Sequence, residues 1–248
     1  MKRNLGYILR RPYIYICSFL FVLFSLLIAR LIPQKANSNW KLKATEYFLI
    51  YYEKGSPAEK DIEVLAGLLE KYFTESTQMF GLQIQQKIPY YFHSNLDVPV
   101  WGYATDTDIH AIYSDSRKDS SPHELRHFMH RRANPGAPYF FNEGACGFGV
   151  EIGGVDFHSR VRLFCADLSK YSLVELVKDF KKYARLGDYL AYSFNSFLIE
   201  QYGTDKFAHF YKEVTAGNWQ SLMEKNYGLP VREIEAQWKA FLCPQKRQ

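Results

Sequence analysis

The chain has 248 residues, of which 47% are hydrophobic and 17% aromatic, so it is too apolar for a disordered protein and long enough for one good-sized core, or at most two small ones. Its formal net charge of +5 arises at the N-terminus, because residues 1–35 hold six Lys or Arg and no acid, leaving 25 basic and 26 acidic residues in 36–248. The body of the protein is therefore nearly neutral, and no nucleic-acid partner is expected.

The first segment predicts a membrane anchor. Tyr13 to Ala29 is a run of seventeen residues without a charge, a length that can just cross a bilayer as a helix. Four positive charges precede the run and place the N-terminus in the cytoplasm. A cleaved signal peptide would have a shorter apolar region, and a buried core helix would not explain the charge asymmetry. The expected segments are a cytoplasmic N-terminus at 1–12, a transmembrane signal-anchor at 13–32, a linker at 33–45 and an extracytoplasmic domain at 46–248.

The first part of that domain predicts strands around one long helix. The segment EYFLIYYE at 46–53 is rich in β-forming residues and predicts a strand. A helix is expected from Pro57 to Gly81, since Ser56 is a good N-cap and apolar residues then recur at spacings of three and four. Two further segments are predicted to be strands: KIPYYFHS at 87–94 and DIHAIYSD at 108–115.

The second part of the domain is predicted to be helical. Gly203, Gly217 and Gly228 separate amphipathic segments, and Pro230 stands where a last helix would begin. Strands followed by helices, without regular alternation, predict an α+β fold. The expected helices lie near residues 172–185, 188–202, 204–216, 219–227 and 231–242.

The cysteines allow at most one internal disulfide. Cys17 lies in the predicted membrane span, so only Cys146, Cys165 and Cys243 remain. No two cysteines are close in sequence, which disfavours a structural zinc site. Which two cysteines pair, if any do, stays open.

One segment carries the residue types of a metal site. SSPHELRHFMHRR contains three of the seven histidines within eight residues. On a helix, His123 and His127 are one turn apart and can share a tetrahedral metal ion, while Glu124 lies beside them without filling a ligand position. A simpler interpretation exists, because Ser121, Pro122 and Glu124 also form a capping box at a helix start.

A catalytic zinc ion needs a third protein ligand, which a capping box does not require. The segment FFNEGA places Glu143 sixteen residues after His127, and the loop-forming RRANPGAP between them would let a second helix fold back with a carboxylate. His158 is an alternative third ligand. The third histidine of metzincins is excluded, since His130 and Ala133 stand where that motif needs Gly and His.

HELRH at 123–127 followed by NEGA at 142–145 resembles the two metal motifs of the gluzincin zinc metallopeptidases, the clan of thermolysin and aminopeptidase N. Within that clan the chain is most similar to the small peptidase MA-like domains, over about residues 46–242. The resemblance implies a zincin-like fold, with a small N-terminal mixed sheet, a long backing helix, an active-site helix and a helical C-terminal half.

The resemblance also implies roles for individual residues. A tyrosine often stabilises the oxyanion in this clan, and Tyr192 or Tyr189 would serve. The strand before the motif resembles the substrate-binding edge strand. The Gly-x-Met-x-Asn segment of aminopeptidases is absent, and Gly147 stands where thermolysin has an Asp, so the partner that orients the ligands is unidentified. The remaining roles are zinc binding by His123, His127 and Glu143, general-base catalysis by Glu124, and substrate binding by Ile109, His110 and Ala111.

The expected function is hydrolysis of peptide bonds in a peptide or protein substrate by a membrane-anchored, zinc-dependent metallopeptidase facing out of the cytoplasm. One alternative is a non-catalytic extracytoplasmic binding domain with the same fold. The intact Glu124 argues against it, since binding alone needs no base. The other alternative is a zinc hydrolase that acts on a non-peptide substrate, which the same ligands would permit.

Overall fold

A computed structural model describes residues 39–96, 102–115, 121–147, 161–162 and 165–243. Over these residues the protein is an α+β structure with one five-stranded mixed sheet and several helices, which confirms the predicted class. The order across the sheet is β1-β2-β3-β5-β4. The strands are β1 (Trp40–Ala44), β2 (Phe48–Glu53), β3 (Ile88–His93), β4 (Gly102–Ala104) and β5 (Ile109–Ile112).

A helical connection joins β2 to the parallel strand β3. Ser56 caps helix α1 (Pro57–Lys60) by accepting a hydrogen bond through its side chain, as the sequence predicts. Helix α2 (Ile62–Phe80) follows after a break at Asp61, so the single predicted helix is two. It ends at Gly81, whose φ of 61° is the left-handed conformation that glycine adopts without strain.

The two faces of the sheet differ because side chains alternate along each strand. One face, which includes Phe48 and Phe92, is buried against apolar residues of α2 and of the helix that follows the sheet. The other face carries a row of stacked rings from four strands, with neighbouring ring centroids 4.6 to 4.7 Å apart. In order across the sheet, these rings belong to Tyr51, Tyr91, His110 and Tyr103.

Strand β5 lies inside the sheet, parallel to β3 and antiparallel to β4. The prediction that Ile109, His110 and Ala111 form an edge strand is therefore wrong, because both sides of β5 are paired with neighbouring strands. The edge is the three-residue strand β4. It is too short for a sequence pattern to reveal, and it begins with a glycine.

The remaining helices agree with the predicted ones, except that the segment near 172–185 forms a short α-helix and a 3₁₀ helix. They bury a second apolar core that includes Phe141, Phe194 and Trp238. The bounds are α3 (Ser121–Ala133), α4 (Tyr139–Cys146), α5 (Leu173–Lys178), α6 (Ala184–Tyr202), α7 (Thr204–Glu213), α8 (Trp219–Tyr227) and α9 (Val231–Leu242), with 3₁₀ helices at Cys165–Lys170 and Phe180–Tyr183.

A disulfide bond joins Cys165 to Cys243, with 5.8 Å between their Cα atoms and 78 residues between their positions. It ties the first 3₁₀ helix to the residue that follows α9. Cys146 is free and buried. The pairing that the sequence left open is thus one between distant segments of the helical half.

The predicted N-terminal segments at 1–12 and 13–32 lie outside the described residues. Strand β1 occupies part of the segment predicted as a linker at 33–45, so the sheet begins earlier than expected. Among the helices that the structure describes, none combines the length and the apolar character needed to cross a membrane.

Candidate metal centre

Helices α3 and α4 bring the three predicted metal ligands together. His127 Nε2 lies 3.0 Å from His123 Nε2 and 3.3 Å from Glu143 Oε1, and His123 Nε2 lies 3.7 Å from Glu143 Oε2. Ligand atoms about 2.0–2.1 Å from a tetrahedral ion are about 3.3–3.4 Å apart, so the two ring nitrogens and the Glu143 carboxylate can hold one metal ion. In the part of the chain that the structure describes, no other group of His, Cys, Asp and Glu meets this condition.

The loop between α3 and α4 is fixed by one asparagine. Asn134 Nδ2 donates hydrogen bonds to the backbone oxygens of Tyr211 and Val214, at 2.8 and 2.7 Å, and so ties the loop to the end of α7. Its Oδ1 accepts a hydrogen bond from the Gly136 amide at 2.9 Å. This buried residue therefore sets the path by which α4 turns back towards α3.

Asn142 orients one of the ligands. Its Oδ1 lies 2.9 Å from His127 Nδ1, on the side of the ring opposite the ligand atom. Asn142 Oδ1 accepts a hydrogen bond if Nδ1 carries the proton, and this leaves the lone pair of Nε2 for a metal ion. The partner that the sequence did not identify is thus the residue directly before Glu143.

The inner side of the α3–α4 pair is closed by further contacts. Arg126 Nη1 donates a hydrogen bond to the Cys146 backbone oxygen at 3.0 Å. Cys146 Sγ lies 3.2 Å from His127 Nδ1 and 3.3 Å from His130 Nδ1. Burial raises the pKa of Cys146 and lowers the pKa of His130, so both side chains are neutral at pH 7.

Helix α4 lies very close to α6, and a glycine makes this approach possible. A Cβ atom at Gly144 would lie 1.8 Å from Asn195 Nδ2 and 2.5 Å from the Ala191 backbone oxygen. No side chain fits there without moving one of the two helices. Because Gly144 directly follows Glu143, this contact also sets how far the third ligand projects towards α3.

Glu124 lies next to His123 on α3 and faces the edge strand, where its side chain lies against Gly102 of β4. It is half-buried and is not a member of the ligand group.

Tyrosines of α6 and α4 lie close to the candidate ligands. Tyr192 of α6 is 5% exposed, and its ring stands nearly perpendicular to that of His123 with 6.2 Å between the centroids. Burial, with a smaller contribution from Glu143, raises the pKa of Tyr192, so its hydroxyl keeps its proton. Tyr189 packs beside Tyr192. Tyr139 lies one turn before Glu143, and burial together with the Glu143 charge and a hydrogen bond to it raises its pKa.

The sequence predicts the three residues of the candidate metal site but not the residues that support them. Asn142 belongs to the NEGA motif, but the sequence does not predict its contact with His127. Gly102 and Tyr139 gave no signal, since β4 is too short to recognise and Tyr139 is one of nineteen tyrosines. The alternative ligand His158 lies outside the described residues.

Comparisons with known proteins do not assign the chain. No protein-family model matches it, and no match is found among curated proteins. The geometry of the candidate metal centre is therefore the basis for a functional proposal.

Proposed function

We propose that the protein is a zinc-dependent metallopeptidase of the gluzincin type. The observation that carries this proposal is the convergence of His123, His127 and Glu143 with a second carboxylate, Glu124, directly beside them on α3. Two imidazoles and one carboxylate, with a fourth position left for water, are the donor set of catalytic zinc in peptidases. A purely structural zinc site would need four protein ligands and no neighbouring base.

The residues would divide the chemistry between them. A zinc ion held there supplies Lewis-acid polarisation of the scissile carbonyl and a water that is acidic near neutral pH. Glu124 would take the proton of that water and pass it to the leaving amine. Tyr192, whose hydroxyl keeps its proton, would donate a hydrogen bond to the oxyanion that forms on the carbonyl.

The substrate would be a peptide or protein segment that adds to the sheet. An extended peptide can pair with an exposed strand edge, and β4 is the edge on the side of Glu124. The substrate-binding role expected of β5 therefore passes to Gly102–Ala104, whose first residue lies against the Glu124 side chain. The ring of Tyr103 is exposed in this strand and would contact a substrate side chain.

The location we propose is a single-pass membrane protein with its catalytic domain outside the cytoplasm. The uncharged run from Tyr13 to Ala29 and the positive charges before it support this orientation. The Cys165–Cys243 disulfide supports it independently, because disulfides persist in oxidising compartments and are rare in the cytosol.

The test combines metal content with turnover. The protein should hold one zinc ion per chain and cleave peptides from a mixed library, and His123→Ala should remove both the metal and the activity. Glu124→Gln should keep the metal and lose about a hundred- to ten-thousand-fold in turnover, because an amide cannot accept the proton.

Glu124→Gln also separates catalysis from helix capping. A Gln side chain can still accept the capping hydrogen bond, so the substitution should change the free energy of unfolding by no more than about 1 kcal/mol. Parental turnover in a zinc-loaded Glu124→Gln protein would show that Glu124 only caps α3. Hydrolysis of esters or amides without peptide cleavage would favour a zinc hydrolase with another substrate.

A further inference from the structure

Strand β4 approaches Glu124 more closely than any side chain would permit. A Cβ atom at Gly102 would lie 2.6 Å from Glu124 Cγ, 2.9 Å from its Cδ and 2.9 Å from its Oε1. Cβ atoms in proteins essentially never come within 3.0 Å of a heavy atom of a residue that is not adjacent in sequence. The three nearest atoms all belong to Glu124, so this side chain is the first obstacle that any side chain at residue 102 would meet.

The backbone of Gly102 gives no second reason for glycine. It pairs with Ala111 in the antiparallel ladder, a conformation that alanine adopts without strain. The absence of a side chain at residue 102 is therefore explained by the room that Glu124 occupies.

The strand cannot easily move away from Glu124, because the turn between β4 and β5 is bound to the other end of α3. Arg131 Nη2 donates hydrogen bonds to the backbone oxygens of Ala104 and Thr105. Arg132 Nη2 donates to the Asp106 backbone oxygen at 2.5 Å. Both arginines lie in the last turn of α3, two turns beyond Glu124. The spacing between β4 and α3 is thus fixed along the length of the hairpin.

We propose that Gly102 is a positioning residue for Glu124: the bare backbone of β4 forms the wall against which the Glu124 side chain is held. This rests on the proposed function, in which Glu124 is the general base. A methyl group at residue 102 would collide with Cγ and not only with the mobile end of the side chain, so Glu124 would have to change rotamer. Its carboxylate would then leave the position beside the metal-bound water.

The first test is Gly102→Ala in the full-length protein. We expect kcat to fall at least tenfold, and by about a hundredfold for a displacement of about 1 Å, while zinc content stays at one per chain. The matched control is Gly67→Ala, a glycine of α2 at which an added Cβ meets nothing within 4 Å. This control should keep the parental kcat. Parental kcat in a zinc-loaded Gly102→Ala protein would overturn the proposal.

The second test does not depend on activity. Gly102→Ala should lower the denaturant midpoint of unfolding in the parent but leave it unchanged in a Glu124→Ala background, where the opposing side chain is gone. Equal losses in both backgrounds would show that residue 102 is constrained by something other than Glu124, and the proposal would fail.

The two proposals fail in different ways. Full turnover in Glu124→Gln would overturn the peptidase mechanism and would leave the coupling between Gly102 and Glu124 intact. An absence of coupling in the unfolding measurements, with turnover still lost in Glu124→Gln, would overturn only the role of Gly102.

Discussion

The side chain of Asn142 is placed to hold His127 with Nε2 available to a metal ion. Its Oδ1 lies 2.9 Å from His127 Nδ1, and the opposite nitrogen points to the two other ligands. Such a partner fixes the tautomer and the ring orientation, and its loss typically lowers metal affinity about 10- to 100-fold. Asn142 is thus the residue whose removal should weaken zinc binding without removing a ligand.

We expect Asn142→Ala to weaken zinc binding by that factor, measured by competition with a chelator of known affinity. Asn142→Asp is the matched control, because it retains an acceptor at nearly the same place and should stay close to the parent. Cys146 Sγ also lies 3.2 Å from the same nitrogen. If Asn142→Ala and Asn142→Ala/Cys146→Ala both bind zinc as the parent does, His127 needs no partner for its orientation.

The convergence of the three candidate ligands could be predicted from the sequence because their geometry follows from helix periodicity. His123 and His127 must share a face, and a short loop makes the return of Glu143 plausible. The contact of Gly102 with Glu124 could not be predicted in this way. It depends on the separation of a strand and a helix, which no local pattern encodes.

The sheet contains a histidine pair that couples β3 to β5. His93 Nε2 lies 2.9 Å from His110 Nδ1, so one ring must donate a proton and the other must accept it. Burial, and then the neighbouring His110, lowers the pKa of His93 to about 4, against a smaller opposing effect of Glu53. Burial lowers the pKa of His110 as well, although Asp108 opposes the shift. Both rings are therefore neutral at pH 7.

This pair predicts a pH-dependent stability. The unfolded chain binds a proton at His93 more readily than the folded protein, because its pKa there is near 6.5. The free energy of unfolding should therefore fall as the pH drops from about 6.5 towards about 4, and it should not depend on His93 above about pH 7.

The measurement is a set of urea unfolding curves between about pH 7 and about pH 4.5, for the parent and for His93→Gln. Gln can replace the hydrogen bond to His110 but cannot be protonated, so the variant should lose less stability on acidification. Carboxylates titrate in both proteins, and the difference between the two curves isolates His93. Parallel curves would contradict the assignment.

The sheet also shows why some elements could be predicted and others could not. Strands β2 and β3 have buried residues at alternate positions and β-forming composition, so a sequence pattern is enough to find them. Strand β1 has no buried residue, and β4 has only three residues. Their place in the sheet depends on pairing with a neighbour. Because the sequence does not predict β4, it predicts β5 at the edge that β4 occupies.

The Cys165–Cys243 disulfide closes a long loop in the helical half. Cys165 and Cys243 are 78 residues apart, and cross-links of that span restrict the unfolded chain most. The double variant Cys165→Ser/Cys243→Ser should therefore lose about 2–4 kcal/mol in the free energy of unfolding. All three metal ligands precede Cys165, so zinc should still bind wherever the variant remains folded.

Chemical unfolding with and without reductant checks this expectation. Reductant should lower the stability of the parent to that of the double variant and should leave the double variant unchanged. A parent that is indifferent to reductant would mean that the two cysteines are not joined in the protein in solution.

The tight contact at Gly144 has a consequence for any experiment that selects for activity among random substitutions. Even alanine at this position would collide with Asn195 Nδ2 and the Ala191 backbone oxygen, and so would push the neighbouring Glu143 off its place. A map of the substitutions that each position tolerates would therefore show Gly144 to be as intolerant of substitution as the candidate metal ligands. From such a map alone, Gly144 would be classified as a functional residue, although it has no side chain that could bind a metal ion. Only suppressor substitutions on α6, which make room for a methyl group, would distinguish it from Glu143, whose loss no distant change can repair.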